Sequence, residues 1–477
     1  MKRNIVVFIS VIFLMSCQKD PTEMSLVFTG DVILDRGVDD EIRLHGDSLL
    51  VNALKKVGKK DYLIVNYEGT FTTLDSGQNP KFNFKTDAEK ASLLYQGGVT
   101  HAAIANNHVY DYGKEGFEHT LAALHKNDLI PLGETCIPNV LEKDGYKCAI
   151  LSASLTSNNA SLCISNVAKL KESVLAFERE NTGVPLVLYL HWGLELQPTP
   201  EPWQRELAKE LINMGVDAII GHHPHVVQSV EFIRDKPVFY SIGNYIADAY
   251  LPHTDRAFTV ELIVKDTIEQ VKVRPIRIER YFPNNISEKE QIAHIQKSLS
   301  FSTGICALRQ PDGWWLKPTR QVNFKEATQL WVFAAKSRTA MIKKLKAGPH
   351  VLAFYTSKDT SNMMRLHGTL SELQISDINN DGDTDILLGI SKKVNFDPVV
   401  KKRINVFTYQ NHTLKPLWLG TKFIHDVETF DVQNVEGFNF LTTVEVDPDG
   451  KRHQRVYEWN DFGFALTTLN LSETDEK

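Results

Sequence analysis

Cysteine is scarce in this chain, five in 477 residues, and no two cysteines stand as a C-x-x-C pair. A structural zinc knuckle therefore has no support. Beyond Cys17, the isolated Cys136, Cys148, Cys163 and Cys306 read as small buried hydrophobes, with no pairing fixed by sequence. Positive charge is not in excess either. Lys and Arg number 53 against 59 Asp and Glu, a net charge of −6, so the basic footprint of a nucleic-acid binder is missing. Long apolar runs are also missing, with one exception at the N-terminus. What remains, 42% apolar and 23% charged residues over 477 positions, is ordinary for a globular protein of two or three domains.

The exception is Ile5 to Met15, a run broken only by Ser10 and preceded by Lys2 and Arg3. It has the make-up of a signal-peptide core and is too short to span a bilayer. It ends Leu14-Met15-Ser16-Cys17, which resembles a lipobox. Residues 1–17 are thus expected to be a lipoprotein signal, with Cys17 acylated. Residues 18–24 would be a polar tether, and the mature chain would sit on a membrane outside the cytoplasm, at the periplasmic face or the cell surface.

From residue 25 short apolar strands alternate with helical stretches, predicting an α/β domain over 25–285. Strands are expected at Ser25–Thr29, Tyr62–Asn66, Ala102–Ala105, Cys148–Ala153, Leu186–Leu190, Ala218–Ile220 and Val238–Ser241. The clearest helices are Lys114–His125 and Trp203–Met214, the second stopped by Gly215. Phe258–Val264 and Val271–Ile278 read as a hairpin. Residues 286–324 are expected to connect this domain to a mostly β region over 325–477. There, Phe354 and Phe407 lie 53 residues apart, and Asp377 and Asp431 lie 54 apart. A period near 50 belongs to propeller blades, but the stretch is too short for closure, so a partial propeller or a small β-sandwich is expected.

The chemistry-bearing residues fall just past strand ends: Asp31, Glu68, Asn107 with His108, His191, and His223 with His225. In an open α/β sheet that edge is where ligands sit. His223 and His225 are two apart and would point the same way in an extended chain. Imidazoles, carboxylates and an amide oxygen together suit Zn²⁺, Mn²⁺ or Fe²⁺, as one ion or as two about 4 Å apart. His108 is placed as a general acid, with Asp111 to orient it. A second oxygen-rich stretch, Asp377, Asn379, Asp381 and Asp385 around Gly382, follows the logic of a Ca²⁺ loop.

Six ordered blocks carry a family resemblance. They are Phe28-Thr29-Gly30-Asp31-Val32-Ile33-Leu34, Asn66-Tyr67-Glu68, Ala105-Asn106-Asn107-His108 through Asp111-Tyr112-Gly113, His191-Trp192-Gly193 with Glu195, Gly221-His222-His223-Pro224-His225, and Tyr240 to Tyr245. Together they resemble the CapA-type family of poly-γ-glutamate capsule synthesis, which is similar to calcineurin-like metallophosphoesterases. The resemblance implies a four-layer αββα sandwich. It implies Asp31, Glu68, Asn107, His191, His223 and His225 as metal ligands and His108 as acid. The phosphoesterase first motif has His where Ile33 stands, and its second has Asp where Glu68 stands. One metal position would then be weakened, or rebuilt near Asp35 or Arg36, and Arg36 could equally bind an anionic substrate. The C-terminal copies resemble FG-GAP blades. Two functions follow as expectations. One is a metal-dependent hydrolase acting on a phosphoester or amide bond of a cell-envelope or capsule polymer. The other is a non-catalytic partner of the capsule machinery that binds an anionic polymer during assembly or export.

Overall fold

The computed structural model describes residues 23–78, 82–156, 162–248, 250–299, 305–310, 313–318, 329–334, 338–344, 350–355, 364–394, 397–410, 413–420, 423–435, 437–460 and 463–467. Cys17, the signal segment 1–17 and most of the tether lie outside them. Two sheets form the mixed α/β part. In the larger, Met24–Val32 pairs in parallel with Tyr62–Tyr67, which continues in parallel through His101–Ala103 to Ile130–Leu132. On its other side Met24–Val32 is antiparallel to Arg256–Val264, the first arm of the expected hairpin with Ile268–Glu279. The smaller sheet has six strands. At its centre Tyr146–Ser154, Leu186–His191, Ala218–His222 and Lys236–Phe239 run parallel.

Burial on both faces explains why these strands read as unbroken apolar runs. Phe28, Ile64 and Val260 of the larger sheet share a core with Ile150, Val187, Tyr189 and Ile220 of the smaller. On the far side of the larger sheet, Val27, Val65 and Ala102 pack on Leu50, Leu54, Leu94 and Leu124, which belong to helices. On the far side of the smaller, Leu151, Leu188 and Ile219 pack on Leu170 and Phe177 of helix Val167–Glu180 and on Leu207 and Leu211 of helix Pro202–Asn213. The last helix starts at a proline behind a reciprocal Glu201–Gln204 capping box, which satisfies donors that its first turn leaves open. It gives way to Gly215 at φ 119°.

Two expectations about the chain's second half need correction. The stretch 286–324, expected to be a connector, contains helix Glu288–Ser298 and strands Ile305–Gln310 and Gly313–Pro318. Gly313–Pro318 pairs with Ile268–Glu279, so both strands extend the larger sheet. That sheet then runs on through Gln329–Ala334, Arg338–Lys344 and His350–Tyr355 to Met364–Leu366, reaching 14 strands. A separate β region begins only after it, as two successive four-stranded antiparallel sheets starting at Thr369 and Asp426. The spacing found in the sequence is therefore only partly structural. Asp377 follows a first strand while Asp431 lies inside one, and Phe354 belongs to the larger sheet while Phe407 lies in Asp397–Gln410.

Cys136 and Cys163 form a disulfide, 27 residues apart in sequence, and Cys148 and Cys306 are free and buried.

Candidate metal centre

Both parallel blocks deliver their carboxyl ends to one place. Asp31 sits near the end of its strand, where the register shifts against both neighbours, and its N–H bonds to Gly243 O at 3.1 Å. Glu68 directly follows Tyr62–Tyr67, its N–H bonded to Val32 O at 3.0 Å. From the smaller sheet His191 and His222 end adjacent strands and face each other in register. Asn106 fixes the loop that carries Asn107 and His108. Its Nδ2 donates to Tyr67 O at 2.8 Å and its Oδ1 accepts from His108 N at 3.0 Å.

Among the described residues, Asp31, Glu68 and His225 each bring a donor atom within 4.8 Å of the others. His225 Nδ1 lies 3.0 Å from Asp31 Oδ2 and its Nε2 lies 3.7 Å from Glu68 Oε1. Asn107 Oδ1 is 2.7 Å from His191 Nε2, which is itself 4.0 Å from Glu68 Oε1. The His223 ring stands 4.7 Å from the His191 ring and 6.2 Å from the His225 ring, centre to centre. All six residues expected as ligands are thus at one site, with three of them converging and Asn107, His191 and His223 beside them.

His223 and His225 do not arrive there as an extended pair. Their φ values are 94° and 57°, so the Gly221–His225 segment turns sharply after its strand and throws both rings back over the sheet edge. Such values are strained for non-glycine residues and collect at functional sites.

Three further residues belong to the site. His222 Nδ1 is 2.8 Å from Asp31 Oδ1, and Asn66 Nδ2 donates to the same oxygen at 2.8 Å. Asn244 Oδ1 lies 2.9 Å from His225 Nδ1. His222 stands in the sequence two residues after Ile220, which faces the inter-sheet core; that alternation was its available signal.

The electrostatics are those of a buried acidic pocket in which one carboxyl group is left without hydrogen bonds. Glu68 is fully buried, and neither of its carboxylate oxygens accepts a hydrogen bond. Burial, with Asp31 and Glu195 nearby, outweighs the pull of His225 and His108 and raises its carboxyl to about 7. Burial also acts to raise Asp31, but hydrogen bonds from His222 and His225 hold it well below the usual range. His225 is disfavoured as a cation by burial, yet Glu68 and Asp31 lift it to about 10. Burial and the neighbouring histidine rings lower His191 well below its ordinary value and His223 to about 4, leaving both neutral. An unbonded buried carboxylate costs several kcal/mol. Neutral imidazoles beside such carboxylates form a donor set that a divalent first-row cation fits.

His108 stands over the site. Its Nδ1 is 2.8 Å from Asp111 Oδ2 and its Nε2 is 3.8 Å from Glu68 Oε1. Asp111 Oδ2 also accepts from Phe84 N at 2.7 Å, and the Phe84 ring lies 4.3 Å from the His108 ring. A cleft of about 730 Å³ opens here, bounded by Asn107, His108, His225, Ile33 and Arg36 among others. Asp35 is engaged by backbone amides, accepting from Arg36 N at 2.7 Å and Lys85 N at 2.9 Å.

In the C-terminal loop the carboxylates are engaged by backbone amides. Asp377 accepts from Asp381 N at 2.9 Å and Gly382 N at 2.7 Å, and Asp381 accepts from Asp383 N at 2.8 Å. Asn379 Nδ2 donates to Asp381 Oδ2 at 2.8 Å. Asp385 is fully buried; its Oδ2 accepts from Ile378 N at 3.2 Å.

Residues 25–249 match the model of the bacterial capsule synthesis protein family PGA_cap. With the site so built, this part of the chain belongs to that family. The chain is 25% identical over 312 residues to the capsule biosynthesis protein CapA of Bacillus anthracis, covering 61% of this chain and 76% of that one. It is 25% identical over 301 residues to the PGA biosynthesis protein CapA of Bacillus subtilis (strain 168), covering 58% and 79%. A probable polyglutamine synthesis accessory protein of Mycobacterium tuberculosis is 23% identical over 246 residues, covering 44% of this chain and 64% of that one. The solved structure of TT1561 of Thermus thermophilus aligns over 50% of this chain and 94% of its own at a TM-score of 0.33 and 8% identity, too low to bear on the fold.

Proposed function

We propose that the α/β part of this chain is a metal-dependent hydrolase of capsule or poly-glutamate biosynthesis, cleaving a phosphoester or amide bond in a cell-envelope polymer or its precursor. The observation that carries the reading is Glu68, buried with both oxygens unbonded beside Asp31 and His225. A divalent cation would give these oxygens the partner they are without, taking the place of the proton on His225. Asp31, Glu68 and His225 would hold one ion, with Asn107, His191 and His223 placed to complete its shell or to hold a second. Bound Mn²⁺, Zn²⁺ or Fe²⁺ supplies Lewis acidity toward an ester, phosphoryl or amide oxygen. His108 Nε2 faces Glu68 while Asp111 holds its Nδ1. This fixes the ring so that Nε2 can give a proton to a leaving group. The core shared by the two sheets, with helices packed on their far faces, supports reading this part as a four-layer αββα metallophosphoesterase-like domain, and the names of the Bacillus relatives support the capsule setting.

A second reading is favoured by Ile33, which stands at the cleft where the phosphoesterase pattern has a metal-binding histidine. On it, the site binds metal and an anionic polymer as an accessory of the capsule machinery, without turnover. The two separate in one experiment. The purified protein is analysed for bound metal, then screened against phosphoesters and γ-glutamyl amides with Mn²⁺ or Zn²⁺. Turnover that His108→Ala removes while metal content stays full supports the hydrolase. Polymer binding without turnover supports the accessory, and a protein that takes up no metal sinks both. Anchoring through an acylated Cys17 belongs to the same proposal, and Cys17→Ser should release the chain from the membrane fraction.

A further inference from the structure

Arg36 is oddly placed for a surface cation. It precedes helix Gly37–His45 with φ 53° and ψ −130°, a conformation that suits glycine and costs another residue about 1–3 kcal/mol. Its guanidinium lies over the Phe84 ring, 4.6 Å from the centroid, and 5.9 Å from that of Phe82. Phe84 is the same ring that packs on His108, 4.3 Å away. Among the described residues Arg36 has no ion pair within 4.0 Å, and it is the one Lys or Arg lining the cleft. The cleft's other charged walls include Asp111, Glu195 and Asp248. An anionic substrate group entering there is repelled by these carboxylates, and Arg36 offers it a permanent positive charge on the cleft wall. The contact with the Phe84 ring holds the guanidinium at the cleft wall, where its donor fork can take a bidentate oxyanion.

We propose that Arg36 anchors a carboxylate or phosphate group of the substrate in the cleft that His225 of the Asp31–Glu68–His225 centre also lines. The inference rests on the hydrolase reading only in taking this cleft as the substrate's seat; the anchoring itself needs no metal. Arg36 is then a positioning residue, and its strained backbone is kept because the anchor must stand over Phe84.

The test is calorimetric titration of the full-length chain, as purified and after chelator treatment, with three probes of equal bulk: benzoate, phenylphosphonate and neutral benzamide. Arg36→Met should weaken the preferred anion roughly tenfold to a hundredfold, the worth of a charge-assisted hydrogen bond pair, and leave benzamide unchanged. Whichever anion binds more tightly names carboxylate or phosphate as the source. Arg36→Lys should fall between, because it keeps the charge and loses the fork. Arg36→Gly should lose anion binding with no fall in melting temperature, since glycine relieves the backbone. A merely structural role predicts the opposite for that variant. The Arg36-dependent part should survive chelation, so its loss is distinct from a failure of the metal reading, which metal analysis decides separately. If Arg36→Met binds both anions as the parent does, or the parent binds anions no better than benzamide, the proposal is overturned.

Discussion

A methyl group on Gly221 would lie 2.0 Å from Tyr240 O and 2.6 Å from Trp192 Nε1, and one on Gly30 would lie 2.1 Å from Gly243 O. Both glycines let neighbouring backbone close in at the point where Asp31 and His222 leave their strands. Gly221→Ala should therefore lower stability by about 1–3 kcal/mol and reduce bound metal, measured by thermal unfolding and elemental analysis. At this scale strand ends made Asp31, Glu68, Asn107, His191, His223 and His225 legible, because a residue type and its place at a strand end are both written in sequence. The bonds of Asn66 and Asn244 were not, because they depend on how two sheets meet. A residue away from the site gives a pH test. His101 is buried, and burial lowers its pKa from 6.5 to about 4 against a weaker opposing bond from Asn139. The unfolded chain takes the proton first, so the stabilisation holds above about 6.5 and is lost as pH falls toward 4. That loss amounts to about 3 kcal/mol. His101→Gln should flatten the acid limb of a stability-versus-pH curve; an unchanged limb would mean that the ring titrates normally.

Elements show where sequence patterns were enough and where they were not. Helices Gly113–Lys126 and Pro202–Asn213 carried apolar spacing on one face and lie within two residues of their expected limits. Short strands such as Asn244–Ile246 escaped, since three residues show no period. The Cys136–Cys163 bridge also escaped, because pairing is a fact of tertiary geometry. It ties the segment before strand Asn139–Lys143 to the approach of helix Val167–Glu180, closing a loop of 27 residues. Loop-closure entropy puts its contribution at roughly 3–4 kcal/mol. Cys136→Ser with Cys163→Ser should lower the unfolding free energy by about that much, and dithiothreitol should do the same to the parent but not to the double variant. At the Asp377–Asp385 loop, amide bonds to Asp377 and Asp381 already form the turn. If Ca²⁺ adds to them, millimolar Ca²⁺ should raise the parent's melting temperature and leave Asp381→Ala unmoved. An equal response in both would remove calcium from this loop.

At the scale of the whole molecule, alternating strands and helices gave away the α/β class, but the sequence concealed where that part ends. The texture change is real but later than residue 285, since among the described residues strands alone follow helix Glu288–Ser298, yet the first of those strands add to the same sheet. Periodicity reports which face of a strand is buried and is silent on which sheet the strand joins. The core shows the consequence. Ile305, Ala307, Trp314 and Leu316 pack in the same apolar cluster as Phe28, Ile64 and Val187, and Trp314 is fully buried. A chain cut after residue 285 would strip those four side chains, of which Ile305 and Leu316 are each worth about 1.5–3 kcal/mol when buried, and would leave Val271–Val273 without the partners that Gly313–Pro318 gives them. Cutting after residue 320 keeps them and every residue of the candidate metal centre, and moves the open edge to Ile305–Gln310, which loses Gln329–Ala334. The shorter chain should unfold at lower temperature, while the longer one keeps its core side chains and retains the metal content of the full protein. The discriminating measurement is melting temperature and bound metal on both truncations, side by side. Equal stability of the two would mean that strands Ile305–Gln310 and Gly313–Pro318 add nothing to the core beneath the candidate metal centre.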